Sequence, residues 1–310
     1  MIKKSSALGN ILKVAFSRGI SLASGVVTGL LLPKLLGVTD YGFLKIYTLY
    51  VVYTALLHFG FVDGILLKFA GKSYEELDKS RFRAYTLFFA VFQAVIGMAM
   101  VGASCFLSNV DYRFILMMLG INMIIINLTT YYQFISQATQ RFGEYSMRNL
   151  LVSAFKLVLV LVLLGLQYGG VADISYRVYI VCLNVMDGIL LLWYIFTYRG
   201  ITFGKMLSPA KLGSEIFDLF KTGIVLTVAY QISHLVFALD RQFVSVLYPT
   251  DTYGQYSFSY NIVTLISTMI SSMSVVLLPM LKRVTRELAS GYYKRLIAAV
   301  AVLVGGAMTC

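Results

Sequence analysis

Residues 84–107 read AYTLFFAVFQAVIGMAMVGASCFL, 24 consecutive positions without an Asp, Glu, Lys or Arg. About 20 apolar residues in a helix cross the hydrocarbon of a bilayer, and only a helix or a closed barrel satisfies its own backbone hydrogen bonds there. The run is therefore predicted to be a membrane-spanning helix. Lys79, Arg81 and Arg83 precede it, and the first cation after it is Arg113. Short loops retain their Lys and Arg on the cytoplasmic side, so the Lys79 end lies inside and the span runs outward.

The same length criterion, carried outward from this run, gives spans near 11–32, 43–67, 113–137, 147–167, 175–198, 221–247 and 255–280, with a ninth beginning near Leu296 and cut off at Cys310. With the N-terminus inside, 18 of the 26 Lys and Arg residues fall on the cytoplasmic side. Lys34, Lys45, Arg113 and Arg177 fall outside, and Lys13, Arg18, Lys156 and Arg241 lie within spans. A missed or invented helix would scramble every later loop, so the asymmetry supports the span count. The fold class is all-α, a polytopic membrane protein. MIKKSSALGN lacks an apolar stretch followed by a small-residue cleavage site, so no removable signal peptide is expected.

Composition agrees. Apolar residues make up 59% of the chain and charged residues 13%, with a mean hydropathy of +0.80, more apolar surface than a soluble fold covers. The net charge of +12 is dispersed between apolar runs rather than gathered in a stripe, which argues against a nucleic-acid partner. Cys105, Cys182 and Cys310 lie in or beside apolar runs, without metal-ligand spacing. The two histidines, His58 and His234, have no second ligand at metal spacing on their own helices, so no metal and no cofactor is expected. No Gly-rich phosphate loop, GxSxG or HExxH is present and the outward loops are short, which argues against an enzyme.

LLPKLLGVTDYGFLKIYTLY (31–50) resembles FVSVLYPTDTYGQYSFSYNI (243–262), with Tyr41-Gly42 matching Tyr253-Gly254 at an outward hairpin that leads into a Tyr-rich helix. The two segments are six spans apart. Six is even, so the repeats run parallel, and parallel repeats around an axis along the membrane normal are a transporter architecture with the site between the halves. The expected division is a six-helix lobe over 1–200, a cytoplasmic amphipathic connector over 201–220 and the start of a second lobe over 221–310, the chain being a fragment of a longer one. RGITFGKMLSPAKLGSEIFDLFKTG (199–223) reads as an interfacial helix or as a plain connector.

Polar residues inside spans mark the candidate site. In span 1, Arg18 shares an arc with Ser17, Ser21, Ser24, Gly25, Thr28 and Gly29, a face that suits a water-filled cavity better than a tight helix contact, since packing does not explain Arg18. In span 7, Thr227, Tyr230, Ser233, His234, Asp240 and Arg241 form a similar arc. Asp240 and Arg241 also read as a structural ion pair. Asn122, Thr129, Thr130, Gln133, Ser136 and Gln137 of span 4, with Tyr47, Thr54 and His58 of span 2, are uncharged donors suited to sugar hydroxyls. Lys156 belongs to the site or snorkels to the cytoplasmic interface, and Asn184 with Asp187 completes the inventory. Candidate binding residues are thus Arg18, Arg241, His58, His234, Tyr230, Gln133, Asn122 and Lys156, with Asp63, Asp187 and Asp240 as candidates for ion coupling.

Four segments carry a family resemblance: GNILKVAFSRGISLASGVVTGLLLPKLLGVTDYG (9–42), HFGFVDGI (58–65), ISQATQRFGEYS (135–146) and FALDRQFVSVLYPTDTYGQYSFSYNI (237–262). In order and spacing they resemble the polysaccharide and O-antigen-type lipid-linked oligosaccharide flippases of the multidrug/oligosaccharidyl-lipid/polysaccharide exporter superfamily. The resemblance implies two six-helix lobes rocking about a central cationic cavity and an undecaprenyl-pyrophosphate-linked glycan as substrate. It also implies a bacterial plasma membrane location and polysaccharide polymerase and glycosyltransferases as partners in the pathway. Arg18 and Arg241 are the positions that fit the cationic cavity. Other readings on the same fold are a cation-coupled drug or small-molecule exporter and a peptidoglycan-precursor flippase; a polyprenyl-dependent glycosyltransferase or ligase is the reading from another class.

Overall fold

In a computed structural model of the chain, the structure describes residues 4–236 and 238–264, with the side chains of 4–18, 209, 210 and 233 outside the description. Arg18 is among these, as is the ninth span. The described elements are helical, without a strand: α1 (Lys4–Thr54), α2 (Phe61–Phe69), α3 (Lys79–Ser104), α4 (Val110–Ala138), α5 (Phe142–Tyr168), α6 (Tyr176–Thr197), the short α7 (Arg199–Thr202), α8 (Gly213–Val236), α9 (Leu239–Leu247) and a last helix over 250–264. Six stretches are long and apolar enough to cross a membrane, and the protein is a multi-pass membrane protein. The first two spans form one continuous element that turns at Gly37, whose φ of 70° and ψ of 176° suit a residue without a Cβ.

Lipid as solvent shows in α3. Val91, Val95 and Met98 are 55, 63 and 70% exposed, an apolar outer face, while the buried face carries Phe82, Tyr85, Phe89 and the polar Gln93. Between helices in lipid there is little hydrophobic gain, so packing and internal hydrogen bonds hold the bundle. The protein packs around two clusters. Toward the cytoplasm, Phe61, Phe82, Phe89, Tyr131, Tyr194 and Tyr198 form an aromatic core that also contains Ile216 and Leu219 of α8. Toward the outside, Leu35, Tyr41, Tyr47, Tyr176, Tyr179 and Tyr253 form the second.

Three expectations change. Span 2 is not one helix over 43–67: α1 ends at Thr54, a 3-10 turn covers Ala55–His58, Phe59 and Gly60 take left-handed conformations (φ 49° and 88°), and α2 then starts. The segment 201–220 is not one interfacial helix. Arg83 holds it by donating to the carbonyls of Gly200 (2.9 Å) and Lys205 (2.7 Å), and α8 already begins at Gly213 and runs into span 7. The small polar face of span 1 is, at Ser21 and Ser24, a packing surface on α5. Ser24 donates to the Ser153 carbonyl at 2.7 Å and Ser21 shares a hydroxyl bond with Ser153 at 2.6 Å, the small-residue contact that lets two backbones approach in lipid.

The repeated hairpins meet each other. A Cβ on Gly42 would collide with the Thr250 carbonyl, and one on Gly254 with the Val38 carbonyl. In the repeat alignment Gly42 corresponds to Gly254 and Val38 to Thr250, so the two contacts are images of each other. Thr39 donates to Asp251 at 2.7 Å between them, and these two positions also correspond. A reciprocal contact of this kind is what a two-fold relation between repeats produces.

Candidate functional site

The sequence candidates separate into three places. The first is a cavity of about 540 Å³ between the outer half of α1, the end of α8, α9 and the helix over 250–264. Lys45, Thr48, His234, Arg241, Tyr260 and Asn261 are among its lining residues, and among the described residues no carboxylate lines it. Arg241 lies over the Tyr260 ring at 4.4 Å and Lys45 over the Tyr41 ring at 5.0 Å, so both cations rest on aromatic faces. Lys45 and Arg241 act on each other electrostatically. Two like charges held at one cavity suit an anion that neutralises both. Lys45 stands in an outward loop by the charge ledger; its place in the cavity comes from the turn at Gly37, which swings the second half of α1 back over the bundle.

His234 lines the same cavity, its ring 4.6 Å from that of Tyr230. Tyr230 itself is 64% exposed. Span 7 is divided here, since α8 ends at Val236 and α9 begins at Leu239, yet His234 and Arg241 still reach one cavity. Asp240 points elsewhere and accepts from the Tyr256 hydroxyl at 2.7 Å.

The second place is a seam between α4, α5 and α6. Asn122, buried, donates to Asp187 at 3.4 Å, and Asp187 feels the charges of Lys156 and Arg148. Gln133 accepts from Arg148 at 3.5 Å, a long contact. The other polar residues of span 4 are spent locally: Thr129 and Thr130 donate back to the Ile125 and Ile126 carbonyls, and Ser136 bonds Tyr198. They are parts of the helix rather than free donors for a sugar.

The third place is the break in span 2, and it takes His58 and Asp63 away from the cavity. Interrupting a helix in hydrocarbon frees carbonyls that cost several kcal/mol apiece if left bare, by order of magnitude. Gln93 donates to Leu57 at 3.1 Å, and Asn127 donates to Thr54 at 3.3 Å and to Gln93 at 2.8 Å. Both side chains are essentially fully buried. Sequence reading placed neither of them in a site; an Asn and a Gln deep in two neighbouring spans were the available signal. His58 is 6% and Asp63 8% exposed. The Gly60 amide donates to His58 Nδ1 at 3.2 Å, His58 Nδ1 lies 3.9 Å from Asp63, and Thr227 of α8 donates to Asp63. Gly223 packs on the Gly60 backbone so closely that neither has room for a side chain. Among the described residues, no group of three His, Cys, Asp or Glu could hold a metal ion.

Neither a curated protein nor a solved structure matches the chain. The family model described as polysaccharide biosynthesis protein matches residues 8–285. That match takes in the repeated hairpins, the break in span 2 and every described wall of the cavity, and by it the chain belongs to the polysaccharide biosynthesis protein family.

Proposed function

We propose that the protein is a flippase that carries a polyprenyl-pyrophosphate-linked oligosaccharide from the inner to the outer leaflet of a bacterial plasma membrane by alternating access, breaking no bond. The observation that carries this reading is the cavity with Lys45, Arg241 and His234 on its walls and no carboxylate among its described lining residues, in a membrane protein of a polysaccharide biosynthesis family. The cations bind the pyrophosphate, the Tyr, Asn and Thr side chains bond sugar hydroxyls, and the polyprenyl chain stays in lipid. An anion leaving an inside-negative compartment gains roughly 2.3 kcal/mol per charge per 100 mV, so the membrane potential favours export. Partners in this reading are the enzymes that build and polymerise the glycan.

The test is flipping of a fluorescent polyprenyl-pyrophosphate saccharide in proteoliposomes. Lys45→Ala and Arg241→Ala should each slow it about tenfold or more, since a charge-assisted contact is worth roughly 1.5–3 kcal/mol. Undiminished flipping in both variants refutes the cationic cavity. An uncharged drug carried as readily as the pyrophosphate lipid would favour a small-molecule exporter.

A further inference from the structure

We propose that the break in span 2 is a proton-binding site, in which His58 takes up a proton at Nδ1, turns to Asp63, and thereby releases Thr227 of span 7. The geometry fixes the starting state. The Gly60 amide donates to His58 Nδ1, so that nitrogen is an acceptor, the imidazole is neutral and its proton sits on Nε2. Asp63 meanwhile accepts from the Thr227 hydroxyl. A proton arriving from water adds to the Nδ1 lone pair, and the Gly60 amide gives up its acceptor. The new N–H faces Asp63 Oδ2, 3.9 Å away before any adjustment, and closing that gap gives a charge-assisted bond.

Thr227 makes the event visible to the other half of the molecule. Its hydroxyl has one proton and two acceptors in reach, Asp63 and the Gly223 carbonyl one turn back at 3.2 Å. The imidazolium and the hydroxyl address the same oxygen, Oδ2, so the charge-assisted donor weakens the Thr227 bond and favours the hydroxyl's return to its own helix. The contact between α2 and α8 then loses its polar link at the level where the glycine backbones touch. One turn further along α8, the buried Gln231 Oε1 has no hydrogen-bond partner among the described residues, so this face is not fully satisfied in the observed state.

Among the described residues, the elements packed on the break bring it no unpaired charge. From α3 and α4 the break receives Gln93 and Asn127, which carry no charge, and Tyr131 of α4 has its hydroxyl on Thr86. From α8 it receives Thr227. Lys68 and Asp218, on the same two helices toward the cytoplasm, are paired with each other at 3.1 Å. Among the described residues, Asp63 is the ionisable group that acts on His58.

That a proton binds here is independent of the flippase reading; that it drives transport rests on that reading. The chain has two histidines, so nitrogen NMR of histidine-labelled protein in nanodiscs resolves two imidazoles, and His234→Gln assigns them. His58 should show the Nε2–H tautomer near pH 8 and gain a proton on Nδ1 as the pH is lowered to about 5. Asp63→Asn should leave it neutral over that range, and Thr227→Val, which removes the competing donor, should leave it able to protonate. A His58 that stays neutral throughout, carries its proton on Nδ1 near pH 8, or titrates identically in the Asp63→Asn variant overturns the proposal. In proteoliposomes, an imposed pH gradient should change the flipping rate several-fold in the wild type and not in His58→Gln. A wild type that flips lipid while His58→Gln retains the gradient response also overturns it, whereas a wild type that flips no lipid refutes the flippase reading and leaves the NMR result standing.

Discussion

The cavity at Lys45 and Arg241 and the break in span 2 are both polar places inside an apolar bundle, and they are built on opposite rules. In the cavity two cations stand together on aromatic faces, and no carboxylate is among the described lining residues. In the break, Gln93 and Asn127 answer the carbonyls that the interrupted helix sets free, and Asp63, His58 and Thr227 answer one another. A region whose polar groups are matched internally stabilises the fold. A region whose described walls carry charge of one sign suits a ligand of the other sign.

The largest effect should come from the matched region. Gln93→Leu combined with Asn127→Leu leaves the Leu57 carbonyl bare, at roughly 1–3 kcal/mol, and removes the Asn127 bonds to Thr54 and Gln93; the melting temperature in detergent should fall by several degrees or more, with flipping lost in proportion. The cavity should behave in the reverse manner. Arg241→Met should weaken binding of a polyprenyl pyrophosphate about tenfold or more, while the melting temperature falls less than in the double Leu variant. If Arg241→Met melts as low as the double Leu variant, the contrast between the two regions is wrong.

A smaller effect is expected where the repeats cross. Gly42→Ala and Gly254→Ala push a methyl group toward the Thr250 and Val38 carbonyls respectively, an overpacking cost of about 1–3 kcal/mol. Because the two contacts are images of each other, the two variants should lose similar amounts in a melting experiment, and a large difference between them would argue against the two-fold relation. The smallest effect lies outside both regions, at Asp78, which caps α3 by accepting from the Ser80 and Arg81 amides. The bond from the Arg81 amide, followed by that from the Ser80 hydroxyl, holds its carboxyl below the ordinary value of 3.8. A lowered folded value means that the stabilisation is present at neutral pH and disappears as the pH falls through it. Asp78→Ala should cost about 0.5 kcal/mol near neutrality, and its melting difference from the wild type should vanish in acid below that carboxyl's titration.

Much of the site inventory was legible as chemistry but not as geometry. Arg241 and His234 were found because a charged or titratable group inside a span is costly enough to need a reason. His58 and Asp63 were found on the same ground, Asp63 as a candidate for ion coupling and His58 with the sugar-binding donors; the break seats them side by side, which helical spacing does not reveal because it assumes the helix continues through Phe59 and Gly60. Lys45 was missed because a loop cation needs no explanation. Gln93 and Asn127 were passed over because a lone amide in a span has many uses, and its partner was a backbone carbonyl that no side-chain pattern reveals.

What the sequence determined by itself is the solvent and the direction of the chain: apolar length sets where a helix crosses lipid, and the placement of Lys and Arg sets which end is inside, both properties of local composition. The hairpin repeat was also visible, because Tyr41-Gly42 and Tyr253-Gly254 are written out in the chain. Only the tertiary structure decided that span 2 is interrupted, that the inner half of span 7 is seated in the aromatic core with Ile216 and Leu219, and that Lys45 meets Arg241. Those outcomes depend on which distant group satisfies a freed backbone carbonyl or shares a cavity wall, and hydrogen bonds of that reach leave no period in the sequence to read.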